Sequence, residues 1–180
     1  IGATPPPDRP ARPDQPALKP PRELPRRSYG GAKGRAALLH ALAHIELNAI
    51  DLAWDIIARF AHAHPWPRAF FDDWVTVAVD EADHFDRLQA RLGDLDVAYG
   101  DLAAHDGLWQ AATVTADDVL ARLALVPMTH EARGLDTTPA TIERLRATGD
   151  EATIDVLAVI LRDEIDHVAA GTRWFEWVCA

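Results

Sequence analysis

Cysteine is nearly absent from this 180-residue chain. Cys179 stands alone, so no intrachain disulfide can form and no cysteine-based zinc or iron–sulfur site can be assembled. Basic residues are scarce as well. Eighteen Lys and Arg face 28 Asp and Glu, a formal charge of −10, and no basic face of the kind that phosphate neutralisation requires is visible. A nucleic-acid partner is therefore not expected. An uninterrupted apolar run of membrane-spanning length and a signal peptide are also lacking, which leads to the expectation of no membrane contact and a cytoplasmic location. Among the acids, glutamate is rare: 8 against 20 Asp.

Proline is plentiful but confined. Nine of the 13 prolines fall within the first 25 residues, so Pro5 to Pro25 cannot be helical and carries too few apolar residues for a core strand. Residues 1–32 read as an extended linker or wrapping arm. Residues 1–30 hold 6 basic and 3 acidic groups, against 12 and 25 in the remainder, so the arm has the sign to lie along the acidic body. Binding of a partner through its proline spacings is the alternative. Because the chain opens at Ile1 and stops at Ala180 directly after an apolar helical run, it is expected to be trimmed, with further C-terminal chain missing.

From Lys33 onward apolar residues recur at three- and four-residue spacing. The pattern predicts four long helices: about Gly34–Ala63, ended by Pro65 and Pro67; Arg68–Leu92, stopped by Gly93; Thr115–Arg133, N-capped by Thr115, kinked at Pro127 and followed by Gly134; and Gly149–Val178. Residues 93–113 read as a long connection with room for a short helix, and a second short helix is expected after Thr138-Pro139. No strand-length alternation survives. The fold class is all-α: residues 33–180 form a four-helix bundle with one long crossover between helices 2 and 3, which lets those two run parallel.

One pentapeptide pattern occurs twice. Asp80-Glu81-Ala82-Asp83-His84 and Asp163-Glu164-Ile165-Asp166-His167 both read D-E-x-D-H. On a helix, Glu at i and His at i+3 share a face and can grip one metal ion. With 8 Glu and 8 His, chance supplies about 0.4 E-x-x-H matches in the whole chain, so two in corresponding helices carry weight. Both pairs continue inward apolar series, Trp74, Val77 and Ala78 in one case and Ile154, Leu157 and Ile160 in the other. Glu46 and Glu131 occupy matching inward positions on helices 1 and 3. A buried carboxylate costs several kcal/mol unless a cation meets it, and no Lys or Arg shares these stripes.

The inventory is four Glu and two His, with Glu46, Glu81, His84, Glu131, Glu164 and His167 as candidate metal ligands. Hard carboxylate oxygens with one imidazole per ion suit two iron ions, with Mn/Fe or Mn/Mn as alternatives. The expected partition gives Glu46 and His84 to one ion, Glu131 and His167 to the other, and Glu81 and Glu164 to both. Asp80 and Asp163 are candidates to hold the imidazoles, within a helix or across to the other. His44 and His130, close to ligand glutamates in sequence, are further candidates for a supporting shell. His40, His62 and His64 read as helix surface or helix end, His105 as a stabiliser of the crossover, and the tryptophans, Trp54 included, as core.

The chain resembles the ferritin-like superfamily, and within it the DUF455 family, through H-A-L-A-H-I-E-L (40–47), F-x-D-W and E-A-D-H-F between 70 and 85, Y-G-D-L-A-A-H-D-G-L-W (99–109), A-L-V-P and E-A-R-G-L-D between 124 and 136, and L-R-D-E-I-D-H-V-A-A-G-x-R-W-F (161–175). The resemblance implies a ferritin-like bundle with those six residues as di-metal ligands, and members that continue beyond a terminus like Ala180. The expected function is O2 or peroxide activation by a di-iron oxidase or oxygenase acting on a small-molecule substrate, in a chain with the potential to form a homo-oligomer. Ferritin- or rubrerythrin-type iron oxidation or peroxide removal is one alternative. A metal-stabilised scaffold that binds a partner through the arm is another.

Overall fold

The computed structural model describes residues 6–180. Long helices dominate: α1 (Ala32–Phe60), α2 (Arg68–Gly93), α3 (Gly107–Val114), α4 (Val119–Leu125), α5 (Ala132–Arg146) and α6 (Glu151–Cys179), with a π-helical segment at Val126–Glu131 between α4 and α5. No strand is present among the described residues, only an isolated bridge between Leu18 and Ala104. The class is all-α, as expected.

Pro65 and Pro67 break the helical run after Phe60, and the Trp66 indole closes the turn by donating to the Phe60 carbonyl at 2.7 Å. The chain then reverses, so α1 and α2 lie antiparallel. At the other end Gly149, at φ +70, takes the left-handed conformation that stops α5. Asp150 then caps α6 by accepting from the Thr153 N–H at 3.2 Å. The α2–α6 register is fixed by opposed pairs: Asp73 with Arg173, Asp80 with His167, His84 with Asp163, and Arg91 with Asp150. These pairings run in opposite order along the two helices, so α2 and α6 are antiparallel, and α2 runs parallel to the α4–α5 run.

The third helix departs from expectation. Its N-cap is Asp118, whose side chain accepts from Ala121 N, whereas Thr115 is buried and bonds back to the Ala111 carbonyl. Gly134 does not end it; α4, the π segment and α5 form one run from 119 to 146. Pro127 has no N–H to give the preceding turn, and the ladder widens there instead of merely bending. The Thr129 hydroxyl satisfies the Ala124 carbonyl five residues back at 2.7 Å. Pro139 is carried inside α5, whose only buried residue is Leu145, so its distortion meets little packing.

The π segment sits tight against α6. A Cβ added at Gly171 would lie 2.6 Å and 2.7 Å from the Cβ and Cγ of Pro127. A proline ring cannot swing away. Gly171→Ala is expected to cost about 1–3 kcal/mol in denaturant unfolding, because only a shift of the segment can relieve the overlap.

Two apolar clusters close the ends of the bundle. One gathers Ala53, Phe60, Phe70, Trp74, Leu123 and Trp174; the other gathers Leu39, Ala43, Leu88, Leu145 and Leu157. Glu46, Glu81, His84, Glu131, Glu164 and His167 all fall, on their own helices, between the residues of these clusters. An 18-residue window of α1 is apolar enough to cross a membrane by length and composition, yet two-thirds of it is buried inside the fold. Trp54, expected in the core, is half exposed, and His40, expected at the surface, is buried with its Nε2 accepting from Gly100 N at 2.9 Å.

The described part of the arm is irregular apart from a 3-10 turn at Pro21–Glu23, and it is strapped to the body. Arg12 donates to Asp51 at 3.0 Å and lies over the Trp109 ring, Arg9 pairs with Asp106, and Lys19 and Ala17 exchange backbone bonds with Ala104. The opposite charges of arm and body thus meet.

Candidate metal centre

α2 and α6 each turn one Glu-x-x-His pair inward, and their antiparallel packing brings the two pairs together. The His84 and His167 ring centres are 5.8 Å apart. Glu81 lies between them: one carboxylate oxygen is 3.2 Å from His84 Nδ1 and the other 3.1 Å from His167 Nδ1. α1 adds Glu46, 3.9 Å from His84 Nδ1, and α6 adds Glu164, 3.6 Å from His167 Nδ1. Two buried groups result, Glu46–Glu81–His84 and Glu81–Glu164–His167, each with ligand atoms within 4.8 Å of one another, and either can hold a metal ion. Glu81 belongs to both.

The far side of each imidazole is held by the other helix. Asp163 accepts from His84 Nε2 and Asp80 from His167 Nε2, both at 3.3 Å. The repeated pentapeptide is therefore a reciprocal device: the aspartate of each copy fixes the ring of the other copy. With Nε2 engaged, Nδ1 of both rings points toward the carboxylates.

Glu131 stands apart. It ends the π segment with its Oε2 buried and without a hydrogen-bond partner, although the residue as a whole keeps some surface. Its charge is felt by Glu164 and Glu81, but it joins neither close group. His44 points away to Tyr99 Oη at 2.8 Å, because two residues along a helix turn the side chain roughly 200°. His130 is half-buried and makes no hydrogen bond or ion pair among the described residues.

The electrostatics are those of crowded carboxylates in a dry site. Burial, reinforced by Glu81, pushes Glu46 well above the ordinary carboxylate range, and burial with Glu164 and Glu81 does the same for Glu131. Glu164 is raised chiefly by burial. Glu81 is the exception. Burial pushes it up, but hydrogen bonds from His167 and His84 outweigh that and hold it at about 2. In return, and against the effect of burial, Glu46 and Glu81 raise His84 to about 10, and Glu164 and Glu81 raise His167 to about 11.

Composition and period did not point to the buried cation of the neighbouring layer. Arg122, on α4, donates to Asp55 of α1, to Thr115 Oγ1 at 2.8 Å and to the Ala112 carbonyl at 2.6 Å. Asp55 also takes a two-oxygen grip from Arg59. The available signal was an arginine flanked by leucine and alanine on the inward face of helix 3.

Comparison with known proteins agrees with the sequence motifs. An "Uncharacterized protein" of Haemophilus influenzae is 44% identical over 169 residues, covering 92% of this chain and 59% of the relative, so the chain spans about three-fifths of that protein's length. No solved structure matches significantly. The family described as "Protein of unknown function (DUF455)" matches residues 2–180, and a match of that extent places the chain in the DUF455 family.

Proposed function

We propose that this chain is a ferritin-like dinuclear metal protein, with two iron ions (or Mn/Fe or Mn/Mn) held by Glu46, Glu81, His84, Glu131, Glu164 and His167, and that it activates O2 or peroxide as an oxidoreductase on a small-molecule substrate. The observation that carries this reading is a set of orphaned atoms. Glu46 Oε2, Glu131 Oε2 and Glu164 Oε2 are buried without a hydrogen-bond partner, an arrangement that is costly in an apolar interior unless cations fill it. Four carboxylates balance two divalent ions, and oxygen ligands with one imidazole each suit iron or manganese.

Such ions would supply the electrons for reducing O2 or peroxide. The protein's own part is positional. Glu81, fully buried between both imidazoles, sets the spacing of the two ligand groups. Asp80 and Asp163 keep each Nε2 protonated and each Nδ1 free for coordination, and as the more exposed partners they link the buried rings to the surface for proton exchange. Glu131, on a helical turn already widened by Pro127, is the ligand with most freedom to change its mode of contact. The apolar clusters above and below exclude bulk water, which strengthens every charge interaction between them.

Loading the metal-free protein anaerobically with Fe(II) tests this directly. Two irons per chain, followed by new visible absorption on mixing with O2, is the expected result. A protein that retains no metal after desalting, and whose spectrum O2 does not change, would overturn the reading. Turnover assays with iron and peroxide alone separate simple iron oxidation from chemistry on an organic substrate.

A further inference from the structure

Three tryptophans make a column at one end of the bundle. The Trp66 ring centre lies 6.0 Å from that of Trp174 and 5.0 Å from that of Trp177, and Trp174 and Trp177 are themselves 6.2 Å apart. Exposure rises along the column, from 3% at Trp174 through 9% at Trp66 to 38% at Trp177. Its inner end adjoins the metal ligands. Trp174 follows His167 by seven residues on α6, so the two side chains share a stripe and stand roughly 10.5 Å apart along the helix axis. An unbroken set of rings therefore leads from the layer of a histidine ligand to solvent.

Apolar packing accounts for the rings but not for the group that Trp174 meets. Its Nε1–H donates to the Asp73 carboxylate at 2.9 Å, and Arg173 donates to the same oxygen. A buried indole needs only a neutral acceptor, such as the Phe60 carbonyl that serves Trp66. A carboxylate can also take the proton. An indole that gives up an electron becomes strongly acidic at this nitrogen, so the Asp73 contact lets electron and proton leave Trp174 together. Trp74 occupies the corresponding place on α2, seven residues before Glu81, yet its Nε1 is buried without a partner and it reaches the column through Phe70 at 6.3 Å. It has no such outlet for a proton, which singles out Trp174 as the inner end.

We propose that Trp174, Trp66 and Trp177 form an electron path between the metal centre and the surface, supplied at Trp177 by a one-electron reductant in solution; the path rests on the dinuclear reading above. One electron passes from Trp174 to the oxidised centre while the Nε1 proton moves to Asp73. An electron from Trp177, directly or through Trp66, then refills Trp174 as the proton returns, and the external donor restores Trp177. Each cycle carries one electron inward and leaves every bond of the protein as it was.

Two measurements test it. In the metal-free chain a ruthenium photo-oxidant is attached to Cys179, the sole cysteine and an exposed one, and the radical formed by a laser flash is identified from its absorption. The deprotonated tryptophan radical is expected in the parent, and the cation radical on the same timescale in Trp174→Phe and in Asp73→Asn, which keeps a hydrogen-bond acceptor but no base. Identical spectra in all three would show that Trp174 is not on a path, whatever the chain does with metal. In the second measurement the iron-loaded chain receives one equivalent of peroxide without a reductant, and oxidised tryptophans are located by tandem mass spectrometry. Modification is expected at Trp177 and not at Trp54, which is 49% exposed but outside the column, and Asp73→Asn should lose it with iron content unchanged. Equal modification of Trp54 and Trp177 in a chain that holds its iron overturns the path and leaves the metal reading standing. A chain that holds no iron overturns the dinuclear reading, and with it the inner end of the path, even if the flash experiment succeeds.

Discussion

Glu81→Gln is expected to destabilise the metal-free protein by about 3–5 kcal/mol, because it removes the carboxylate that lies against both buried imidazolium groups at once. Glu131→Gln, on the same metal-free protein, is expected to leave stability unchanged or raise it, since burial already favours the neutral form of that side chain. Both variants should lose metal. Urea unfolding with and without Fe(II) reads both effects, and equal stability of the two variants without metal would show that the charges are not arranged as described.

The same groups set opposite pH trends for the two forms. Glu81 contributes fully above its ordinary value of 4.5 and loses that contribution as pH falls toward 2. His84 and His167 contribute fully below 6.5 and lose it as pH rises through about 10 and 11. The metal-free protein is therefore expected to be most stable between about pH 4.5 and 6.5 on account of these three groups. Metal uptake runs the other way. Coordination must expel a proton from each imidazole and from any carboxyl that burial holds neutral, so affinity for the metal pair near neutral pH should fall at least about a hundredfold per unit of acidification, with proton release measurable in weakly buffered solution.

Arg122→Met is expected to be nearly as damaging, about 3–5 kcal/mol, for a reason unrelated to metal. It strips the buried Asp55 carboxylate of one of its two guanidinium partners and leaves Thr115 Oγ1 and the Ala112 carbonyl without their charged donor. Combining it with Asp55→Leu should recover much of the loss, because replacing a whole buried ion pair with apolar groups is far less costly than breaking it. A single variant that loses less than about 1 kcal/mol would mean that water reaches the pair.

The legible part of this protein was what a single helix determines. A period of 3.6 residues places Glu46, Glu81, His84, Glu164 and His167 among inward apolar positions without reference to any other element, and proline and glycine mark where α1 and α2 stop. Gly149 and Asp150 announce the start of α6 for the same local reason. The pairing of elements was open. Whether Asp80 serves its own helix or the opposite one depends on the antiparallel register of α2 and α6, and the structure chose the cross-helix arrangement.

The third helix departs from its local signals where they conflict with packing. Gly134 and Pro139 both suggest a break, yet an exposed helix tolerates them, and the interruption came at Pro127, where the close approach of Gly171 fixes the π segment and carries Glu131 away from the two ligand groups. Along the chain His40 reads as helix surface and His44 as a supporting neighbour of Glu46, and nothing near Arg122 names its partner. They are buried because elements distant in sequence supply their partners: Asp55, Gly100 and Tyr99. The sequence alone determined an acidic, cysteine-poor, all-helical chain with two echoing Glu-x-x-His pairs facing inward, since those are properties of local periodicity. Only the tertiary structure decided that Glu81 is shared between the pairs, that each aspartate holds the opposite histidine, and that the proline arm is strapped across Asp51, Trp109 and Ala104, since each depends on how separate helices and the arm are brought into register.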